Sequence, residues 1–400
     1  MRARRTAWAA LVAAAALAGC TTTGVDAPAP PGTPRLGAVA DRHRVGPQGE
    51  DCGELPAGAV QAWRTPPRLS GTAPYQFVFG TPSPSGLLAA SLAAPPAATP
   101  YALIDPATSA VVRRIATVPA YASASAAWDG TALLYAHVMW PGGKGTGEVH
   151  LWDAATGTDR LIAHGDENGG VGGTVFLSPG YAVWSQGVGG VAQPTGVLLR
   201  RWVAYERATG RTFTAAEGPY DVSALAGSRL WLVGNGGRSA ALSVVRLDVA
   251  ETRTGQAPAK VTDGLAPGAQ VAVAGGDLWF VRDGLLWRLS QDDGATPHPV
   301  AGVELPGFSR DLHGVGDLLE LRSGGERADE ARSYVGSART GVFARIDPEP
   351  PARASTPPSA GSATKPSASQ ASDLTMNLSP EARWAIQSPR PLLDALTCPS

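Results

Sequence analysis

The sequence predicts an all-β protein, a single β-propeller of four-stranded antiparallel blades. Three observations carry this. Residues 270–300 read as one whole unit: Gln270-Val271-Ala272-Val273, then Leu278-Trp279-Phe280-Val281, then Leu285-Leu286-Trp287-Arg288-Leu289, with a fourth run near His298. Gly275-Gly276-Asp277 and Asp283-Gly284 separate the runs and supply the positive φ that hairpin turns need. Comparable units recur at a period in the forties. The 400 residues hold 49 Gly and 35 Pro, a turn-rich composition, and no long amphipathic helical pattern.

In chain order, residues 1–19 read as a targeting segment outside the fold. Arg2, Arg4 and Arg5 precede an apolar run from Ala7 to Ala18, too short for a comfortable membrane span. The run ends in Leu17-Ala18-Gly19-Cys20, which resembles the bacterial lipobox. That resemblance implies lipid attachment to the Cys20 sulfur and cleavage before it. The plainer alternative is a secretory signal with an incidental Cys20. Residues 20–50, with Pro28-Ala29-Pro30-Pro31-Gly32-Thr33-Pro34, read as a disordered Pro-rich tether. Without residues 1–19 the chain has 30 basic and 34 acidic residues, a net charge of −4. No basic stripe remains for nucleic acid.

The propeller is expected over residues 51–400. Its units align on Gly86, Gly130, Gly180, Gly227, Gly276 and Gly316, at intervals of 44, 50, 47, 49 and 40 residues. Each glycine is taken as the turn between the first two strands of a blade, and each precedes an apolar run. A second marker follows other apolar runs: Asp105-Pro106-Ala107-Thr108-Ser109, Asp153-Ala154-Ala155-Thr156-Gly157 and Glu206-Arg207-Ala208-Thr209-Gly210. It is expected between the third and fourth strands. Residues 348–373 are rich in Pro, Ser, Ala and Thr and read as a disordered insertion.

Beyond the insertion, Ser379-Pro380-Glu381-Ala382-Arg383-Trp384 resembles the TolB and WD40-like propeller repeat, in which Ser-Pro-Asp-Gly precedes an aromatic strand. Glu381 and Ala382 depart from that pattern; Ser83-Pro84-Ser85-Gly86 and Ser178-Pro179-Gly180 are partial copies. This gives seven blades, with six or eight as alternative counts. The last blade is expected to use strands through about Ala395, completed by residues 55–64 from the other end. Such closure brings Cys52 close to Cys398, and a disulfide between them is expected if the chain is exported. The alternative is two free buried thiols.

Five of the 11 Trp residues, at 184, 231, 279, 287 and 384, fall on predicted repeat strands and read as core, leaving Trp128 and Trp140 as surface candidates. His164-Gly165-Asp166-Glu167-Asn168 gathers potential ligands without the spacing of a calcium or zinc site. His137, His150, His298 and His313 show no mutual spacing. Trp140-Pro141-Gly142-Gly143-Lys144-Gly145-Thr146-Gly147 superficially resembles a phosphate loop, but Gly145 follows Lys144 and strands flank it, so it reads as a hairpin loop. No catalytic or metal residues are assigned and no cofactor is expected. The expectation is a monomeric lipoprotein, anchored in the membrane on the extracytoplasmic face. Its propeller is a non-catalytic module for a ligand or an envelope protein, not for nucleic acid. Alternatives are an extracytoplasmic propeller enzyme acting on a glycan or small molecule, and a wall-associated spacer.

Overall fold

In a computed structural model of the chain, the described residues are 32–64, 75–92, 98–119, 123–139, 146–165, 171–187, 199–234, 239–249, 257–266, 269–292, 295–305, 308–324, 332–347 and 377–399. Residues 1–19, Cys20 and the insertion at 348–373 lie outside them.

Six four-stranded antiparallel units follow one another along the chain, the fourth and fifth bridged into one sheet where Leu265 lies opposite Arg282. Blade 1 is built from Tyr75–Phe79, Leu88–Leu92, Ala98–Asp105 and Ala110–Pro119. Blades 2 to 6 span residues 123–165, 171–218, 220–265, 271–304 and 308–345. All six marker glycines fall between the first and second strands of their blades. Five adopt positive φ, from 57° at Gly227 to 91° at Gly130. An L residue reaches that region only with strain.

The second marker is a carboxylate-stapled turn. Asp153 accepts from both the backbone N–H and the hydroxyl of Thr156, at 2.8 and 2.9 Å. Gly157 follows at φ 69°. Thr108 donates to Asp105 and Thr209 to Glu206 in the same way, each at 2.8 Å. These bonds hold the Asp153 and Asp105 carboxyls below the ordinary carboxylate range.

The core lies between blades. Trp128, Tyr135 and Trp152 pack against Phe79 and Tyr101 at the junction of blades 1 and 2. Trp184 fills the junction of blades 2 and 3, Trp202 that of 3 and 4, and Trp279 that of 5 and 6. Alternation along each strand sends one set of side chains to each neighbouring blade, so second strands such as Leu88–Leu92 are buried on both faces, whereas outer strands such as Asp159–Gly165 and Ala259–Leu265 are largely exposed or half-buried.

The seventh unit is partial. Its one strand, Asn377–Leu378, pairs parallel to the first strand of blade 1, with Asn377 opposite Phe77. The aromatic strand expected around Trp384 is instead a helix, α2 (Pro380–Gln387), followed by α3 (Arg390–Ala395). Residues 57–64 are likewise a helix, α1 (Ala57–Arg64), not a strand. The reason is local. Ser379 is a helix N-cap, accepting from the Ala382 N–H at 3.2 Å, with Pro380 next and Glu381 in the first turn. Ala382 lacks the positive-φ freedom that Gly gives the repeat's turn, so the motif starts a helix.

The three helices form a wedge between blades 6 and 1. Ala382 packs on blade 1, while Trp63, Trp384 and Leu392 pack on blade 6 with Leu318 and Val335. At its centre Glu320, 6 % exposed, accepts from the indoles of Trp63 (3.1 Å) and Trp384 (2.9 Å). Arg383 lies 3.5 Å from the same oxygen, over both indole rings. Burial lowers the Arg383 pKa.

The expected tether corresponds to packed structure from Gly32 onward. Leu36 is fully buried beside blades 5 and 6. His43–Val45 pairs with Phe343–Arg345, and Asp51–Glu54 pairs with it in turn, extending blade 6 to six strands. The composition of the Pro-rich stretch did not reveal this, because the anchoring comes from single residues. Leu36 donates to the Gly302 carbonyl, and Asp41 accepts from Arg64 at 2.7 Å and from the Asp347 N–H at 2.8 Å. Cys52 and Cys398 are joined in a disulfide, with Cα atoms 4.7 Å apart.

Candidate functional site

The first strands of the blades, together with α2, surround an axial channel. Two cavities of about 540 and 550 Å³ share Phe176, Leu225 and Glu381 as lining and form its two halves. The wall is mixed: Phe77 and Phe79 stack at 5.8 Å on one side, with Phe77 38 % exposed, while Asp221, Ser223 and Gln270 line the other half. His313 lines the second half.

The carboxylates along the channel differ in how they are engaged. Asp221 pairs with Arg200 at 3.0 Å. Asp129 pairs with Arg207 at 2.5 Å and accepts from Thr131 and Ala132. Burial pushes the Asp129 carboxyl up, but the hydrogen bonds and Arg207 outweigh it, and its pKa is held below the ordinary value. Glu381 has no hydrogen-bond or ion-pair partner among the described residues. The channel therefore offers aromatic and aliphatic surface beside one uncommitted acid.

A second constellation lies within blade 2, on the face toward blade 1. Strand pairing sets His137 opposite Glu148, Glu148 opposite His164, and Tyr135 opposite His150. All of these side chains share one face of the pleat. The Nε2 atoms of His137 and His150 lie 3.5 and 3.2 Å from the same oxygen, Glu148 Oε2. Nδ1 of His150 is 3.3 Å from Asp159 Oδ2, which accepts from the Tyr135 hydroxyl at 2.6 Å. The Tyr135 ring stacks flat on His150, centroids 4.9 Å apart. Burial lowers the His137 pKa, and burial followed by the Asp159 hydrogen bond raises that of Tyr135.

This grouping corrects the expectation that the histidines are unrelated. The signal was present as two period-two pairs, Tyr135-x-His137 and Glu148-x-His150, on adjacent strands. Only the register brings them together, and a slip of one residue would place them on opposite faces. His164 ends its strand within reach of Glu148, at 3.9 Å. Asp166, Glu167 and Asn168, like Trp140 and residues 141–145, lie outside the described residues. Trp128, expected at the surface, is buried against Trp152. His298 is exposed on blade 5, and the five repeat-strand tryptophans are all buried.

No family model matches the chain, and no curated protein matches it. Among solved structures it is similar to oligogalacturonate lyase from Vibrio parahaemolyticus, at 12% identity and TM-score 0.43, covering 70% of this chain and 81% of that one. It is also similar to the propeller domain of the trilobed protease from Pyrococcus furiosus, at 14% identity and TM-score 0.42, covering 63% and 76%. A third is TolB from Acinetobacter baumannii, at 12% identity and TM-score 0.36, covering 70% and 64%.

Proposed function

We propose that the chain is a lipid-anchored extracytoplasmic lipoprotein whose propeller is a non-catalytic binding module. The observation that carries the binding role is the channel: exposed Phe77, with Phe176 and Leu225, beside the uncommitted Glu381. Aromatic side chains beside an acid with no partner among the described residues suit an envelope protein segment that presents an apolar side chain next to a cation. The lipobox at Cys20 supports the anchor, and the Cys52–Cys398 disulfide suits an oxidising compartment.

Crosslinking in intact cells followed by mass spectrometry tests the binding role. A defined envelope protein is expected with the native chain, and its yield should fall with Phe77→Ser or Glu381→Gln. An unchanged set of products in both variants overturns the channel as the binding surface. Cys20→Ala should release the chain from the membrane fraction; continued membrane association would overturn the anchor.

A further inference from the structure

The geometry points to a divalent transition-metal site in blade 2, held by Nε2 of His137, Nε2 of His150 and Oε2 of Glu148, with Asp159 as a nearby carboxylate outside the ligand set. Zinc, or another ion of similar preference for imidazole, is the class of ligand it would take. This goes beyond the binding-module reading and does not depend on the channel.

The three ligand atoms all lie within 4.8 Å of one another. A tetrahedral ion with ligand bonds of about 2.1 Å sets neighbouring ligand atoms about 3.4 Å apart. The two imidazole-to-carboxylate separations of 3.5 and 3.2 Å already bracket that spacing. The group is held by a sheet, not by a loop: each residue sits in a paired strand, and the Tyr135 ring backs His150. His137 is 7 % exposed, and its Nδ1 has no hydrogen-bond partner among the described residues.

Proton placement argues for a cation. His150 stands between two carboxylates, Glu148 at Nε2 and Asp159 at Nδ1. A neutral imidazole has one N–H and one lone pair, so one of its nitrogens must turn a lone pair toward a carboxylate. A cation between Nε2 and Glu148 removes that conflict. The proton then sits on Nδ1, 3.3 Å from Asp159 Oδ2, a carboxylate that is near but not in hydrogen-bond geometry with it. The rival arrangement is a doubly protonated His150 with no ion. Two neutral imidazoles, Glu148 and Asp159 together balance a double positive charge. His164, whose side chain is 60 % exposed, has Nδ1 3.9 Å from Glu148 Oε1, and a fourth position is left to solvent or to that ring.

The test uses the full mature chain with its disulfide intact, stripped with a chelator and titrated with Zn²⁺ by calorimetry, with metal content counted after gel filtration. One zinc per chain is expected, together with visible d–d absorption on replacement by Co²⁺. Glu148→Gln and His150→Gln should each weaken zinc binding at least tenfold. Asp159→Asn, which removes no ligand but one nearby negative charge, should weaken it less than either. Circular dichroism verifies folding of each variant, and Glu148→Gln carries the test if the His150 variant fails to fold. Absence of retained zinc in the native chain, or unchanged affinity in folded Glu148→Gln, overturns the proposal.

Discussion

Blade 3 and the helical wedge each bury tryptophan beside a neighbouring blade, yet they are joined to the ring by different means. In blade 3 (residues 171–218) four strands pair over their length, and the Trp202 indole donates to the Tyr220 backbone carbonyl at 3.0 Å. Its polar backbone is satisfied within the sheet, and apolar faces supply the contact with its neighbours. The wedge shares only the two-residue strand Asn377–Leu378 with blade 1. Its last carbonyls accept from side chains of the ring, Ala395 from Arg44 at 2.8 Å and Leu396 from Thr340 at 2.7 Å, and its attachment rests on these with the Glu320 cluster, the Cys52–Cys398 bond and apolar packing. Blades cohere through a distributed ladder, whereas the closure depends on a few named groups.

The largest expected effect comes from cutting the closure itself. Reduction, or Cys52→Ser with Cys398→Ser, should lower unfolding stability by about 5 kcal/mol at most in the chain-entropy model for so long a loop. Denaturant titration of oxidised and reduced protein measures it. Next is Glu320→Ala, which strands two buried indole N–H groups and Arg383 and should cost about 3–5 kcal/mol. Glu320→Gln keeps an acceptor and should cost less; equal losses would show that the cluster is not what fixes the wedge.

Within the blades, Gly130→Ala places a Cβ 2.7 Å from the Pro82 carbonyl oxygen at φ 91° and should cost about 2–3 kcal/mol. Gly227→Ala, at φ 57° with open space, should cost about 1 kcal/mol. Ala382→Gly restores the residue of the propeller turn, yet it should only weaken α2, by about 1 kcal/mol, without new strand signal by circular dichroism. The smallest effect is on pH. Hydrogen-bonded Asp129 and Asp153 have folded pKa values below their unfolded ones. Their contribution is complete above the unfolded value of about 4 and is lost as pH falls through the folded values. The melting temperature should hold from neutral pH down to that point and drop below it.

The blades were legible because their signals are local. A glycine at positive φ and an acid followed three residues later by threonine each act within one turn, so Gly130 and Asp153 mark strand ends without knowledge of the rest of the chain. The wedge was not. Ser379-Pro380 serves a hairpin turn or a helix start equally well, and the residue after Glu381 decides between them. The packed segment from Gly32 was hidden for another reason: Leu36 and Asp41 act through partners far along the chain, Gly302 and, 306 residues away, Asp347. The His137–Glu148–His150 group needed a register that sequence periodicity does not supply.

The disulfide has a mechanical consequence. Tension applied to the amino-terminal segment and resisted at Ser400 would peel residues up to Cys52 and then pass through sulfur to Cys398. The 346-residue span between them would be left slack and outside the line of force. An oxidised molecule stretched between its ends should lengthen by little more than the segment ahead of Cys52, whereas a reduced one should unravel blade by blade.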